Sequence, residues 1–270
     1  MMRALWSGAS GMIAQQTNLD TIANNISNVN TTGFKAEKAE FKSLLYQTIQ
    51  SRSTSANGDD KPIGAQVGLG TRTASITSQF IQGALEATGS VTDFGISGDG
   101  FFQVTNADGD LYYTRDGSFN LVADGNNGLA LVNADGYYVT STNGNRITFP
   151  EGITANNITA DASGTLSYYD ANGNLVTQNI GLFQFPNPSG LEKLGSNLYQ
   201  VSDASGAAMN EATTAGLTPS KLYQGYLEMS SVSVADEMVN MIVAQRAYEM
   251  NSKAITTSDD MLELANQLKR

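Results

Sequence analysis

The sequence predicts an α+β fold. An amphipathic helix stands at each end, the two forming a coiled-coil-like pair around a mainly antiparallel β-rich central domain. Three observations predict it. Apolar residues recur at 3-4 spacing over the first 29 residues. A second stripe of that spacing fills the C-terminal segment. Between them, Asp-Gly and Asn-Gly dipeptides return every 8 to 11 residues.

The first helix is expected from Met2 to Val29. Its seam is Leu5, Gly8, Met12, Gln15, Leu19, Ile22, Ile26 and Val29, six of the eight apolar. A sustained repeat of this kind marks a coiled-coil-like seam. The end of the helix is odd. Asn24, Asn25 and Asn28 are weak helix formers, because their amides compete for backbone hydrogen bonds. A helical stripe carried on weak formers reads as a segment that waits for a partner. Two readings of Asn24, Asn25, Asn28 and Asn30 stand side by side. They are surface polarity near a helix end, or amides that hydrogen-bond across packed subunits without the desolvation cost of charges. Gly33 is expected to let the chain turn. Phe34 then anchors it, as a core aromatic or as an assembly contact. A shorter amphipathic piece, Ala36 to Ile49, follows. Within it Phe41–Tyr46 reads as a buried face, or as a hydrophobic export signal.

Residues Ser51 to Gly70 are rich in Ser, Asn, Gly and Asp and read as a long loop or extended arm. The middle then alternates turn and strand signals. The turns are Asp99-Gly100, Asp108-Gly109, Asp116-Gly117, Asp124-Gly125, Asp135-Gly136 and Asn143-Gly144. Such dipeptides supply the positive φ of tight hairpins. The expected strands are Phe101–Thr105, Leu111–Thr114, Ser118–Val122, Leu129–Val132, Tyr137–Thr140, Thr165–Tyr169, Leu175–Asn179, Leu182–Phe185 and Leu198–Val201.

The C-terminal helix is expected to start at an N-cap Ser233, with Asp236 completing a capping-box-like arrangement. Val234, Met238, Met241, Tyr248, Ile255 and Leu262 form its seam. Gln245, Ser252 and Asp259 interrupt that seam at a spacing of seven. They lie on a wetted edge, or they fix register or line a polar channel wall. Ala235, Val239 and Ile242 widen the stripe. Lys269 and Arg270 close the helix favourably for its dipole. Pairing two helices does not bury so wide a stripe, so the remainder is expected to face other copies of the chain. The resulting division is 1–50 N-terminal helical assembly region, 51–90 extended arm, 91–225 β-rich domain and 226–270 C-terminal helical assembly region.

Composition excludes several chemistries. The 270 residues contain no Cys and no His. Thiol nucleophiles, disulfides, Cys/His zinc sites and His-based acid–base catalysis are therefore absent. Net charge is −11. Residues 51–220 carry six basic and sixteen acidic groups, which argues against nucleic acid. No apolar run is long enough to span a membrane. Met1–Ile13 lacks the apolar core of a secretory leader, so any export is expected by a route that cleaves none. Asp108-Gly109-Asp110 and Asp124-Gly125-Asn126 lack the terminal Glu of a calcium loop and read as turns. Gly95-Ile96-Ser97-Gly98-Asp99-Gly100 is not a dinucleotide fingerprint. Asp59-Asp60 and Asp259-Asp260 surround no cleft. No catalytic residue, cofactor, metal or small-molecule substrate is expected.

The run Ala23–Lys35, A-N-N-I-S-N-V-N-T-T-G-F-K, resembles the N-terminal signature of bacterial flagellar rod and hook proteins. Leu227–Leu262 resembles their C-terminal signature. Gly98–Phe119, with G-D-G-F-F-Q-V and Y-T-R-D-G-S-F, is also similar to that family. Leu5-Trp6, Ala14–Asn18, Leu44–Ile49, Val67–Arg72 and Leu222–Tyr226 look like its distal-rod branch; proximal-rod and hook paralogues share the terminal motifs. The resemblance implies a structural subunit without enzymatic activity. It implies export through the flagellar type III apparatus and helical self-assembly into a hollow torque-transmitting shaft, helices inside and β-domain outside. It further implies contacts with proximal rod and hook proteins, and with a ring bushing where an outer membrane exists. A stalked adhesin or carbohydrate-binding module is the rival reading; it needs only one helical end.

Overall fold

Both terminal helices are present in the computed structural model, which describes residues 2–50, 64–124, 128–170 and 173–268. Helix α1 is Met2–Ser27 and helix α2 is Val234–Gln267. Residues 28–30 form a turn, so α1 stops two residues short of Val29. Ser233 is the N-cap of α2, but its side chain makes no capping hydrogen bond. The capping-box exchange with Asp236 is therefore not made. Lys269 and Arg270 lie outside the described residues.

The chain divides into two units. One is built from α1, the strands between Glu37 and Thr77, and α2. The helices run antiparallel, with Gly8 against Ile255, Gly11 against Asn251 and Asn25 against Glu237. Ala36 to Ile49 is not helical. It holds the strands Glu37–Ser43 and Tyr46–Gln50. Glu37–Ser43 pairs with Thr71–Ser78, and Tyr46–Gln50 pairs antiparallel with Ala65–Gly68, Tyr46 opposite Gly68. Tyr46, Thr48 and Ile49 are strand formers that suit a pleated ribbon, and so short a helix gains little on its own. Part of the expected loop is thus strand. Its stretch 51–63, with Asn57-Gly58, Asp59-Asp60 and Lys61-Pro62, lies outside the described residues.

The other unit comprises Asn28–Ala36 and Ser78–Val232. Phe101–Thr105 is the central strand of its largest sheet. It pairs antiparallel with Leu111–Thr114 on one edge, Phe102 opposite Thr114. On the other edge lie Tyr138–Val139 and Leu182–Gln184, with Val104 opposite Val139 and Phe102 opposite Leu182. The strands expected at Thr165–Tyr169 and Leu175–Asn179 form a hairpin with those bounds. Alternation along the central strand feeds two cores. Phe102 and Val104 enter a cluster with Phe94, Ile96, Phe119, Leu131 and Phe149. Phe101 enters a second with Tyr113, Phe183, Phe185, Leu191 and Tyr199, whose rings meet edge-on.

The turn dipeptides divide. Gly109, Gly136 and Gly144 take positive φ as expected. Gly125 lies outside the described residues. At Asp99-Gly100 the left-handed residue is Gly98, φ +134°. Asp116-Gly117 is not a left-handed turn. Gly117 is glycine because its backbone lies against Phe94, whose N–H donates to the Gly117 carbonyl at 3.0 Å. A Cβ there would overlap the Phe94 carbonyl oxygen. Gly117→Ala is therefore expected to cost about 1–3 kcal/mol. The check is a lowered urea midpoint at unchanged slope.

Candidate assembly surfaces

Chemistry-bearing side chains gather in the β-rich unit where the segment after α1 meets the segment before α2. Gly33, at φ +67°, turns the chain as expected. Its N–H donates to the Glu228 carbonyl at 2.8 Å. The Ser231 N–H donates to the Phe34 carbonyl at 3.1 Å, and the Ala36 N–H to Ser231 Oγ at 3.0 Å. Two short stretches are thus laced side by side.

Their side chains form a buried ionic centre. Lys35 Nζ donates to Glu228 Oε1 at 2.6 Å and to the Ile81 carbonyl at 2.8 Å. The Gly83 N–H donates to the same Oε1 at 2.9 Å, and Arg115 Nη1 to Oε2 at 3.3 Å. The Lys35 and Glu228 side chains are 0% exposed and Arg115 is 2%. Burial pulls the Lys35 ammonium and the Arg115 guanidinium below their ordinary pKa values, and the Glu228 carboxylate opposes both shifts. The centre carries two cations and one anion. Asp99 adds favourable charge to both cations. Arg115 also lies over the Phe101 ring, 4.9 Å from its centre.

Sequence reading missed this centre. Each member is a lone charge inside a motif, and nothing along the chain links positions 35, 115 and 228. Period-2 alternation would put Glu228 on the same side as Tyr226, which is exposed; Glu228 is buried.

In the helical unit Asn25 is buried. Its Nδ2 donates to the Glu37 carbonyl at 2.8 Å and to Glu237 Oε1 at 2.9 Å, and its Oδ1 accepts the Glu37 N–H at 2.8 Å. Asn25 is thus a buried staple within the chain rather than a surface amide. Asn24 is exposed, with its amide 3.4 Å from Glu37 Oε2, and Asn28 accepts the Thr31 hydroxyl at 3.1 Å.

The α1 seam is at least partly covered within the chain. Ile22 is buried, and Leu5, Met12, Leu19 and Ile26 are half-buried. Phe34, in the other unit, is also half-buried. On α2 the covered row is shifted. Met241, Ile255 and Leu262 are half-buried, whereas Tyr248 is exposed. The alternate positions are Glu237, Ala244, Asn251 and Ser258, covered to differing degrees. Gln245 and Asp259 are exposed, whereas Ser252 is half-buried. At Gly8 and Gly11, α1 offers no side chain, so Ile255 of the expected row and Asn251 of its neighbour both lie against its backbone. Met238 and Ile242 remain 55% and 56% exposed, beside exposed Val234, Val239 and Val243. Among the described residues no His, Cys, Asp or Glu cluster could hold a metal, and no helix is long and apolar enough to cross a membrane.

Three family models match: flagella basal body rod protein over residues 5–35, flagellar hook protein FlgE/F/G D1 domain over 95–168, and flagellar basal body rod FlgEFG protein C-terminal over 223–268. Flagellar basal-body rod protein FlgG of Borreliella burgdorferi is 49% identical over 277 residues, spanning 100% of both chains. FlgG of Bacillus subtilis is 42% identical, again over 100% of each. The Bacillus subtilis flagellar hook-basal body complex protein FlhP is 33% identical over the full length of both.

The chain belongs to the flagellar basal-body rod protein family. It is a structural subunit of the distal rod in the flagellar basal body and not an enzyme; the stalked binding module is set aside. Each matched segment of this rod protein contributes one member of the ionic centre: Lys35, Arg115 and Glu228. Glu228→Ala would strand two buried cations and is expected to cost about 3–5 kcal/mol. Asn25→Ala, which removes a buried amide from its bonds to the Glu37 backbone and Glu237 Oε1, is expected to cost about 1–3 kcal/mol. Denaturant midpoints of the full-length variants check both.

Proposed function

We propose that this rod subunit polymerises helically, its terminal helices packing as a coiled-coil-like wall around a hollow shaft that carries torque from motor to hook. The observation that carries this reading is the apolar row on α2 at Met238, Val239, Ile242 and Val243, left open when α2 packs on α1. Exposed apolar rows of this kind mark interaction surfaces. On α1, Trp6 and Ile13 are likewise exposed and add to it.

In this reading residues 1–50 and 226–270 are the assembly regions, 51–90 an arm and 91–225 the β-rich domain. Leu5, Met12, Leu19, Ile22, Ile26, Met238, Met241, Ile242, Gln245, Tyr248, Ile255 and Leu262 serve the helical wall. Asn24, Asn28, Gly33 and Phe34 shape the exit from α1, and Asn25 serves within the subunit. Partners are further copies of the chain, the proximal rod and hook proteins at either end, the type III export apparatus, and a ring bushing in cells with an outer membrane. There the rod lies in the periplasm. No nucleic acid or small-molecule substrate is involved.

Ile242→Asp leaves the subunit fold intact, because the side chain already faces outward, but buries a charge between subunits. The expected result is a soluble, normally melting chain and basal bodies that lack the distal shaft by electron microscopy. Normal shafts and motility would refute the reading.

A further inference from the structure

The ionic centre does more than hold the β-rich unit together. Lys35 and Glu228 are 193 residues apart in sequence, so their contact is set by the tertiary fold and not by local structure. Donors from residues 35, 83 and 115 converge on one carboxylate. Next to it, residues 33–36 and 228–231 are laced by three hydrogen bonds. The first stretch follows the end of α1 at Ser27, and the second precedes the start of α2 at Val234. Within the helical unit, the same two ends meet through Asn25 and Glu237. The end of α1 is rich in weak helix formers, and an isolated helix of modest length is marginal in water. Holding the two ends together raises their effective concentration for each other.

We propose that Glu228 is a positioning residue for assembly: by drawing Lys35 and Arg115 onto one carboxylate it holds the chain leaving α1 beside the chain leading into α2, and so makes pairing of the terminal helices depend on a folded β-rich unit. The proposal rests on the reading of those helices as the assembling elements. Ion pairs suit the task because a buried pair with one member missing is strongly unfavourable, so the lock forms as a whole or not at all.

The test uses the full-length chain. Glu228→Gln keeps the shape and removes the charge. Melting and near-ultraviolet circular dichroism report the β-rich unit. Hydrogen exchange at Gly33 and Ser231 reports the lacing. Shaft added in vitro to isolated basal bodies that lack it, counted by electron microscopy, reports assembly. The expected result is a folded β-rich unit, at least tenfold faster exchange at both amides, and at least tenfold less shaft. The chain has no native Cys, so Ala36→Cys with Ser231→Cys in the Glu228→Gln background, oxidised with diamide, restores the link alone and is expected to restore assembly. Wild-type assembly despite fast exchange overturns the proposal. So does failed assembly when mass spectrometry shows the disulfide formed.

Should Glu228→Gln not fold, Lys35→Met with Arg115→Met and Glu228→Leu fills the same space without charge. It is expected to protect both amides and to assemble; protected amides without assembly overturn the proposal. Failure of the underlying reading is visible separately, as normal assembly by Ile242→Asp.

Discussion

A fully buried carboxylate is tolerable only when its oxygens are saturated by donors, and at Glu228 those donors come from three distant parts of the chain. The lysine comes from the signature after α1, the arginine from the T-R-D-G turn, and the backbone N–H from Gly83. The demand propagates outward. Arg115 must pass over Phe101, which ties the centre to the aromatic core. The turn bearing Arg115 is seated because Gly117 lets its backbone lie against Phe94. Gly33 must turn at positive φ, where an added Cβ would meet the backbone of Arg115 and Asp116. One carboxylate thus constrains the conformation of all three segments shared with the rod family.

The helical unit solves a different problem. A subunit that buried its whole apolar stripe internally would have nothing left for its neighbours. Here the contact between α1 and α2 includes small and polar positions: Gly8, Gly11 and Asn25 on one side, Asn251 and Glu237 on the other. Small residues allow close approach, while amides and a carboxylate satisfy one another. Larger apolar side chains such as Met238 and Ile242 stay outside. This arrangement leaves a row of apolar side chains on α2 uncovered within the chain.

Much of the fold was legible in the sequence because it rests on local rules. Strands with a period of two, bounded by turn residues, appear within one or two residues of expectation across the β-rich unit. Both helices appear, and their ends differ by a cap and a turn. Local rules failed at Ala36–Ile49, where amphipathic spacing fits helix and strand alike and pairing with Thr71–Ser78 and Ala65–Gly68 decided for strand. They failed again on α2. Apolar Val234 and Met238 suggest one row, but both stay exposed, and the most deeply covered positions are Ala244 and Ser258 of the neighbouring row.

By itself the sequence determined most element types, a helix at each end of a β-rich insert, and the resemblance to the flagellar family. Those follow from periodicity, turn chemistry, residue inventory and local motifs. Only the tertiary structure decided that Lys35, Arg115 and Glu228 form one centre, that Asn25 points inward, and which face of α2 stays open. Each of these depends on which distant segments meet. A lone charge or amide carries no mark along the chain of the partner that will satisfy it once both are buried.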